Sequence, residues 1–314
     1  MQPTISVLIT YYNERDLLTE CLRSLAAQTQ LPNEILIYDD ASTYPAAEYV
    51  PADLPTQVIR GEVKGGPARG RNSLLRAATG EYVHFHDADD LFEPTWCAQV
   101  GAALDGVEVV FTEIHSFASG KLLSERVLGL AQLQADGDLL RFCIRGAMLV
   151  PAGTYRRDLL LELGGYREAL WQAEDYDCHI RLAARGVRYR LVDTALVTIR
   201  VRSEGRSSNQ REVWSSALQA LKLQATELPT AYSNELAEMA AYVGSQLFKL
   251  GARHTAGEAF QLAYSLGPPT YVRQRRSYRL LAGALGPEAA EWISASYRRL
   301  LPEPLRRALA RFGL

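Results

Sequence analysis

The sequence contains no run of 18 apolar residues, so no membrane-spanning helix is expected. Its opening, Met1-Gln2-Pro3-Thr4, has no basic stretch and leads straight into an apolar segment, which argues against a signal peptide. Cysteine is scarce. Cys21, Cys97, Cys143 and Cys178 are scattered without a CxxC pair and read as small buried hydrophobes in a reducing compartment, not as a zinc site or a disulfide framework. The glycine-rich stretch at residues 64–72 lacks a Gly-Lys-Ser/Thr ending, which excludes a P-loop. A large net charge is also missing: the total is −2, although the stretch from Tyr271 onward holds nine arginines against three glutamates, so the rest is acidic. What is present, 314 residues at 47% hydrophobic and 22% charged, suits a soluble enzyme of one large domain or two smaller ones.

Apolar runs and polar breaks alternate in the first hundred residues. Ile5 to Thr10 reads as a buried strand, followed by a loop, Tyr11-Tyr12-Asn13-Glu14-Arg15-Asp16, whose Asp16 is placed to cap a helix. Leu17, Leu18, Cys21, Leu22 and Leu25 then recur at helical spacing, ending near Gln28–Gln30 before Pro32. Glu34 to Tyr38 is a second strand that ends in Asp39-Asp40, and Gln57 to Arg60 a third. Such a β-loop-α-β unit has a right-handed crossover and parallel strands, with ligands beyond their carboxyl ends. Asn13, Asp39 and Asp87 each follow a strand, so one edge collects them. Lys64 to Asn72 carries glycines for close backbone approach and two arginines suited to phosphate or carboxylate; a flexible surface loop is the simpler reading. Ser73 to Ala78 reads as helix.

Tyr82-Val83-His84-Phe85-His86 has strand character and breaks into Asp87-Ala88-Asp89-Asp90. Three carboxylates in four residues repel one another, and a divalent cation relieves that repulsion. Mg²⁺ binds through one or two carboxylates plus substrate phosphates, so a strand ending in Asp-x-Asp is a candidate metal–diphosphate site. The plain alternative is a solvated acidic turn with Asp90 as a helix cap. His84, His86 and His115 are read as structural strand histidines, not as metal ligands.

These blocks carry a resemblance. The run from Val7 to Thr43, the run from Gly70 to Asp90, and a third block of Leu163-Gly164-Gly165-Tyr166-Arg167-Glu168 with Ala173-Glu174-Asp175-Tyr176-Asp177 resemble, in order and spacing, the family 2 glycosyltransferases of GT-A fold. The resemblance covers roughly residues 4–210. It implies an α/β architecture: a Rossmann-like mixed sheet flanked by helices, with a helical C-terminal extension. It further implies inverting, metal-assisted transfer of a sugar from a nucleotide-diphosphate donor, with UDP-sugars favoured, to a hydroxyl of a glycan or lipid-linked acceptor. Carried over by position, Asp39 reads the base with Tyr11 beside it, Asp40 lies near the ribose, and Arg71 lies near base or diphosphate. Asn13, Glu14 and Glu174 complete the nucleotide-sugar set. Asp87 and Asp89 serve ribose, diphosphate and a Mg²⁺ or Mn²⁺ ion, with Asp90 as a third metal ligand, and Asp175 is the general base. Where many members carry Tyr-Arg-x-His, this chain has Ile199-Arg200-Val201-Arg202, which removes a metal ligand; Arg200, Arg202 and Arg206 instead suit phosphate neutralisation, with plain surface cations as the competing reading. For the Glu174-Asp175 pair the bland reading is an acidic first helical turn.

The expected organisation is a catalytic domain at 1–210, a helical accessory subdomain at 211–270 resembling one tetratricopeptide-like hairpin, and a basic amphipathic tail at 271–314. The tail suits an interfacial anchor on anionic lipid, which would set the protein on the inner face of a membrane; docking on the acidic body and an ordinary helical face are the other readings. Nucleic acid is not expected, because no binding motif accompanies the charge. The family setting implies cytoplasmic surface-polysaccharide assembly. A catalytically silent sugar-nucleotide-binding module is the second reading, against which Asp87, Asp89 and Asp175 speak. A nucleotidyltransferase would carry a basic glycine-rich loop where this chain has Tyr11-Tyr12-Asn13-Glu14.

Overall fold

The computed structural model describes residues 3–118, 120–146, 148–202, 205 and 208–300. The chain falls into two compact units, Met1–Glu204 and Gly205–Leu314.

The first unit begins with β1 (Ile5–Tyr11), α1 (Asp16–Ala26), β2 (Glu34–Asp39), β3 (Gln57–Arg60), α2 (Gly66–Ala77) and β4 (Tyr82–Asp87). Next come β5 (Leu91–Phe92), α3 (Trp96–Ala103), β6 (Val109–Ala118), β7 (Lys121–Ser124), α4 (Leu130–Asp136) and α5 (Leu139–Ile144). It closes with β8 (Gly153–Arg156), α6 (Arg157–Glu162), α7 (Glu174–Ala184) and β9 (Tyr189–Arg200). Among the described residues nine strands form one mixed sheet in the order β3-β2-β1-β4-β8-β6-β9-β5, with β7 on β6. β1, β2, β3 and β4 are mutually parallel, and the register sets Tyr11 against Asp39 and Thr10 against Asp87. The carboxyl ends of β1, β2 and β4 therefore stop at one level, which is what gathers the candidate residues.

β1 is buried along nearly its whole length because helices cover both faces of a parallel sheet. On one face α1 buries Leu18, Cys21, Leu22 and Leu25 against Ile5, Val7, Ile9 and Ile37; each fully buried leucine contributes about 1.5–3 kcal/mol. Asp16 does not cap α1. It is the first helical residue, where its charge complements the helix dipole, and Arg15 precedes it at φ 53°. The stretch read as a flexible loop is largely helix: α2 starts at Gly66, so Arg69, Arg71 and Asn72 lie in its first two turns. Gly70 lets α2 rest on the sheet, since a Cβ there would lie 2.9 Å from Tyr38 Cδ1 and 3.2 Å from Thr10 Cγ2. All four cysteines are buried free thiols.

The second unit is helical: α8 (Gln210–Glu227), α9 (Ser233–Lys249), α10 (Arg253–Leu266), α11 (Arg276–Leu285) and α12 (Pro287–Leu300). Asn209 caps α8 by accepting from the Glu212 N–H and donating to the Glu212 carboxylate. α9 and α10 form a hairpin in which Gly244 lies against Phe260; a Cβ there would sit 2.7 Å from its ring. Met239, Val243 and Leu247, spaced four apart, are buried along one face of α9, and Leu250, just past its end, is exposed. Arg275, Arg276, Arg279, Leu280 and Trp292 are exposed on the stretch that follows, and Arg306 and Arg307 of the basic tail lie outside the described residues. No helix among the described residues is long and apolar enough to cross a membrane.

Candidate active site

Three loops at the carboxyl ends of the parallel strands are tied together by buried carboxylates. Asp39, 1% exposed, accepts from the backbone N–H groups of Ser42 (2.8 Å) and Ala46 (2.9 Å) and from Arg60 Nη1 (2.6 Å). It shapes the loop after β2. Asp40 accepts from the Gly65 (2.7 Å) and Gly66 (2.9 Å) N–H groups, so it fastens the start of α2 to the end of β2. Asn13 Oδ1 accepts from the Tyr44 N–H at 3.1 Å, and its own N–H donates to Ser42 Oγ at 3.2 Å. Asn13, Arg15 and Ala41 hold positive φ in these loops, and Ala173 does so at the entry to α7. Non-glycine residues in that region cost of order 1–3 kcal/mol each and tend to cluster at functional sites.

Tyr11 departs from the sequence expectation. It ends β1 in the core at 1% exposure, its hydroxyl donating to Tyr44 O at 2.7 Å and accepting from the Arg15 N–H at 3.3 Å. Burial pushes its hydroxyl up to about 12. The ring offered to solvent is its neighbour Tyr12, 39% exposed, with Lys64 Nζ 3.8 Å above its centre. Alternation of side chains along a strand makes the swap intelligible: β1 continues through Tyr11, one residue past the predicted end.

Arg71 also differs from its expected place. It is 3% exposed, donating through Nη1 to Glu174 Oε1 (2.7 Å) and through Nη2 to Asp87 Oδ1 (2.9 Å), and it lies 5.4 Å from the centre of the Tyr166 ring. Burial alone would lower its proton affinity, but Asp87 and Glu174 outweigh that and hold it well above the ordinary arginine value. It is thus a buried bridge between the end of β4 and the first turn of α7. The adjacent Asn72 reinforces the bridge: its Oδ1 accepts from the Tyr166 N–H at 2.8 Å, and its Nδ2 donates to Tyr166 O and Glu168 Oε1, both at 2.9 Å. Gly165, at φ +67°, is obligatory there, since a Cβ would lie 2.4 Å from Asn72 Oδ1.

The bridge fastens the first turn of α7, which carries Glu174 and Asp175, to the end of β4. Glu174 is buried against Arg71, and Asp175, half-buried in the same turn, accepts from the Tyr176 N–H at 2.7 Å. Asp177, fully buried, is pinned by Arg167 (2.8 Å) and Arg181 (2.7 Å), and Arg181 also donates to the carbonyls of Leu163 and Gly165. These contacts fix α7 to the glycine turn before it.

Asp87 and Asp89 keep 38% and 20% of their side chains exposed. Asp89 pairs with Arg202 Nη2 at 2.7 Å. Burial, then Asp87, raises the Asp89 carboxyl above its usual range, with Arg202 opposing. Two partly exposed carboxylates two residues apart that repel each other fit a hard divalent cation that takes its remaining ligands from phosphate. Asp90 does not join them. It is 6% exposed and accepts from the Arg200 N–H at 2.9 Å, and burial, Asp89 and Asp87 push its carboxyl well above the usual range. Among the described residues no three His, Cys, Asp or Glu side chains converge as a metal centre. Glu14 accepts from the Tyr12 N–H and lies near both Asp89 and Arg202; burial raises its carboxyl from 4.5 to about 7. Arg200 pairs with Glu20 at 2.5 Å, and Arg206 lies outside the described residues. His84 and His86 pack in the core with Phe92 and Trp96 and bond to each other at 3.4 Å. Burial lowers both, His86 to about 4, so they are neutral structural groups.

A family model described as glycosyl transferase family 2 matches residues 6–163. Among curated proteins, an uncharacterized glycosyltransferase of Haemophilus influenzae is 28% identical over 184 residues, 57% of this chain and 61% of that one. The uncharacterized glycosyltransferase YwdF of Bacillus subtilis is 32% identical over 199 residues, 62% of this chain and 72% of that one. Of solved structures, S. aureus TarS 1-349 in complex with UDP-GlcNAc superposes with a TM-score of 0.68 at 21% identity, covering 94% of this chain and 92% of that one. The mannosyltransferase PcManGT from Pyrobaculum calidifontis, in complex with GDP-Man and Mn²⁺, superposes with a TM-score of 0.60 at 21% identity, covering 98% of this chain and 83% of that one. The mixed sheet between helices is the GT-A architecture that the sequence blocks resemble.

Proposed function

The chain belongs to glycosyl transferase family 2, and we propose that it transfers a sugar, with inversion, from a nucleotide-diphosphate donor to an acceptor hydroxyl. The single observation that carries this reading is the Arg71 bridge, which holds Asp87 at the donor edge and the Glu174–Asp175 turn to one guanidinium. Residues 1–210 are the catalytic part in this reading, with 211–270 and 271–314 as a helical accessory region and a basic tail.

The donor's base lies along the Tyr12 ring beside Lys64, on loops that Asn13, Asp39 and Asp40 hold in shape. Its diphosphate faces Asp87, Asp89 and Arg202. A Mg²⁺ or Mn²⁺ ion held by Asp87 and Asp89 would offset the charge that the diphosphate gains on leaving. Asp175 takes the proton of the acceptor hydroxyl as the new carbon–oxygen bond forms and the bond to the diphosphate breaks. Glu174 remains buried against Arg71 and positions that turn. UDP is the favoured nucleotide, a glycan or lipid-linked sugar the acceptor, and the cytoplasmic side of a membrane the setting, with the exposed arginines and apolar residues near the C-terminus as a peripheral contact for anionic lipid.

The test is a thermal-shift panel of UDP, GDP, CDP and dTDP with and without Mn²⁺. A nucleotide that binds only the native state raises the midpoint by mass action. One nucleotide shifting the midpoint more with Mn²⁺ is the expected result; no shift with any would overturn the reading.

A further inference from the structure

We infer that Arg202 is an exchangeable counter-ion: it neutralises Asp89 in the donor-free protein, yields Asp89 to a divalent cation, and moves to the diphosphate as the donor binds. This rests on the glycosyltransferase reading above. The two carboxylates of the Asp-x-Asp edge are neutralised by arginines in opposite circumstances. Arg71 is buried and gripped at both Nη atoms by Asp87 and Glu174, so leaving would strand a buried carboxylate. Arg202 is 38% exposed, and its ion pair among the described residues is with Asp89, at 2.7 Å. Its backbone is anchored just upstream, where the Arg200 N–H donates to Asp90 Oδ1 and the Val201 N–H to Phe117 O, so the side chain is the part free to swing. A half-exposed ion pair is weak enough to be exchanged.

A cation arriving alone must then compete with Arg202 for Asp89, whereas a nucleoside diphosphate gives Arg202 a second partner and releases the site. Mn²⁺ and diphosphate therefore bind cooperatively, each strengthening the other by the same factor. Arg202 would be a positioning residue that sets this coupling.

The experiment is an electron paramagnetic resonance titration of free Mn²⁺ against the full chain, alone and with UDP or GDP, for wild type, Arg202→Ala and Asp89→Asn. Arg202→Ala is expected to tighten Mn²⁺ binding in the absence of nucleotide by roughly three- to tenfold and to reduce the further tightening caused by nucleotide by a similar factor. Asp89→Asn is expected to weaken Mn²⁺ binding in both conditions. Unchanged or weaker Mn²⁺ binding by Arg202→Ala overturns the inference, and Arg202→Gln repeats the measurement should the alanine variant misfold. The glycosyltransferase reading fails separately, by the absence of any nucleotide-dependent thermal shift in the wild type.

Discussion

Replacing Arg71 with methionine keeps the length and apolar stem of the side chain and removes the guanidinium. Glu174 is then left buried without its counter-charge, whereas Asp87, 38% exposed, regains water. Removing one partner of a buried pair costs about 3–5 kcal/mol, and here nearly all of it falls on Glu174. At roughly 2–4 °C per kcal/mol for a unit of this size, the unfolding midpoint should fall by about 6–20 °C. Glu174→Gln in the same background removes the stranded charge, so the double variant should recover part of the loss. The coupling between the two sites should exceed about 1 kcal/mol in a double-mutant cycle. Scanning calorimetry of the four proteins measures it. A midpoint within about 2 °C of wild type for Arg71→Met, or losses that simply add, would refute the bridge as a structural element.

Asp175→Asn should abolish sugar transfer while keeping the nucleotide-dependent thermal shift, because it removes a proton acceptor and leaves Asp87 and Asp89 in place; turnover near wild type would remove Asp175 from the base role. Tyr12→Ala should weaken nucleotide binding with little effect on the unliganded midpoint, whereas Tyr11→Phe should cost about 1 kcal/mol of stability through its lost hydrogen bonds and leave affinity intact, as isothermal calorimetry and unfolding would show. Glu14 is raised from 4.5 to about 7 on folding, so between those values the folded chain holds a proton that the unfolded chain has released. Its contribution to stability accordingly falls as pH rises across that window, and Glu14→Gln should flatten the decline of the midpoint from pH 5 to 7. An unchanged slope would count against the buried position of that carboxyl.

Much of the sheet was legible where burial and polarity agree. Ile5–Thr10, Glu34–Tyr38 and Gln57–Arg60 stand out as apolar runs between polar breaks, and their parallel order follows from the short helical crossovers. Where polar residues are buried the reading fell short. Only Val109–Phe111 at the start of β6 is a plain apolar run, and the strand continues to Ala118 through Thr112, Glu113, His115 and Ser116. Glu113 is wholly buried because the Leu128 and Leu130 N–H groups donate to its carboxylate, a long-range arrangement that no local pattern announces. Of the candidate site residues, Asp39, Asp40, Asp87 and Asp89 lie at or just past strand ends and could be gathered by topology alone. Tyr11 and Tyr12 could not be told apart, because a strand buried on both faces gives no alternation in hydrophobicity. Arg71 was open to phosphate or carboxylate, and its buried carboxylate partner Glu174 lies 103 residues downstream, beyond any local pattern.

The order in which this site is completed along the chain bears on synthesis at the ribosome. The half-sheet β3-β2-β1-β4 is encoded by the first 87 residues, yet β4 gains its other neighbour only with β8, at Gly153–Arg156, and Arg71 its buried partner only with Glu174. Until then a nascent chain carries an open strand edge and an arginine whose final place is not yet built. Truncations ending between Asp87 and Gly153 would hold most of the residues proposed to face a nucleotide and still be aggregation-prone, since an exposed edge strand is a template for pairing with other chains. This first half-sheet is therefore not a module that can be trimmed free, and shortened forms used for binding work should retain the chain through α7.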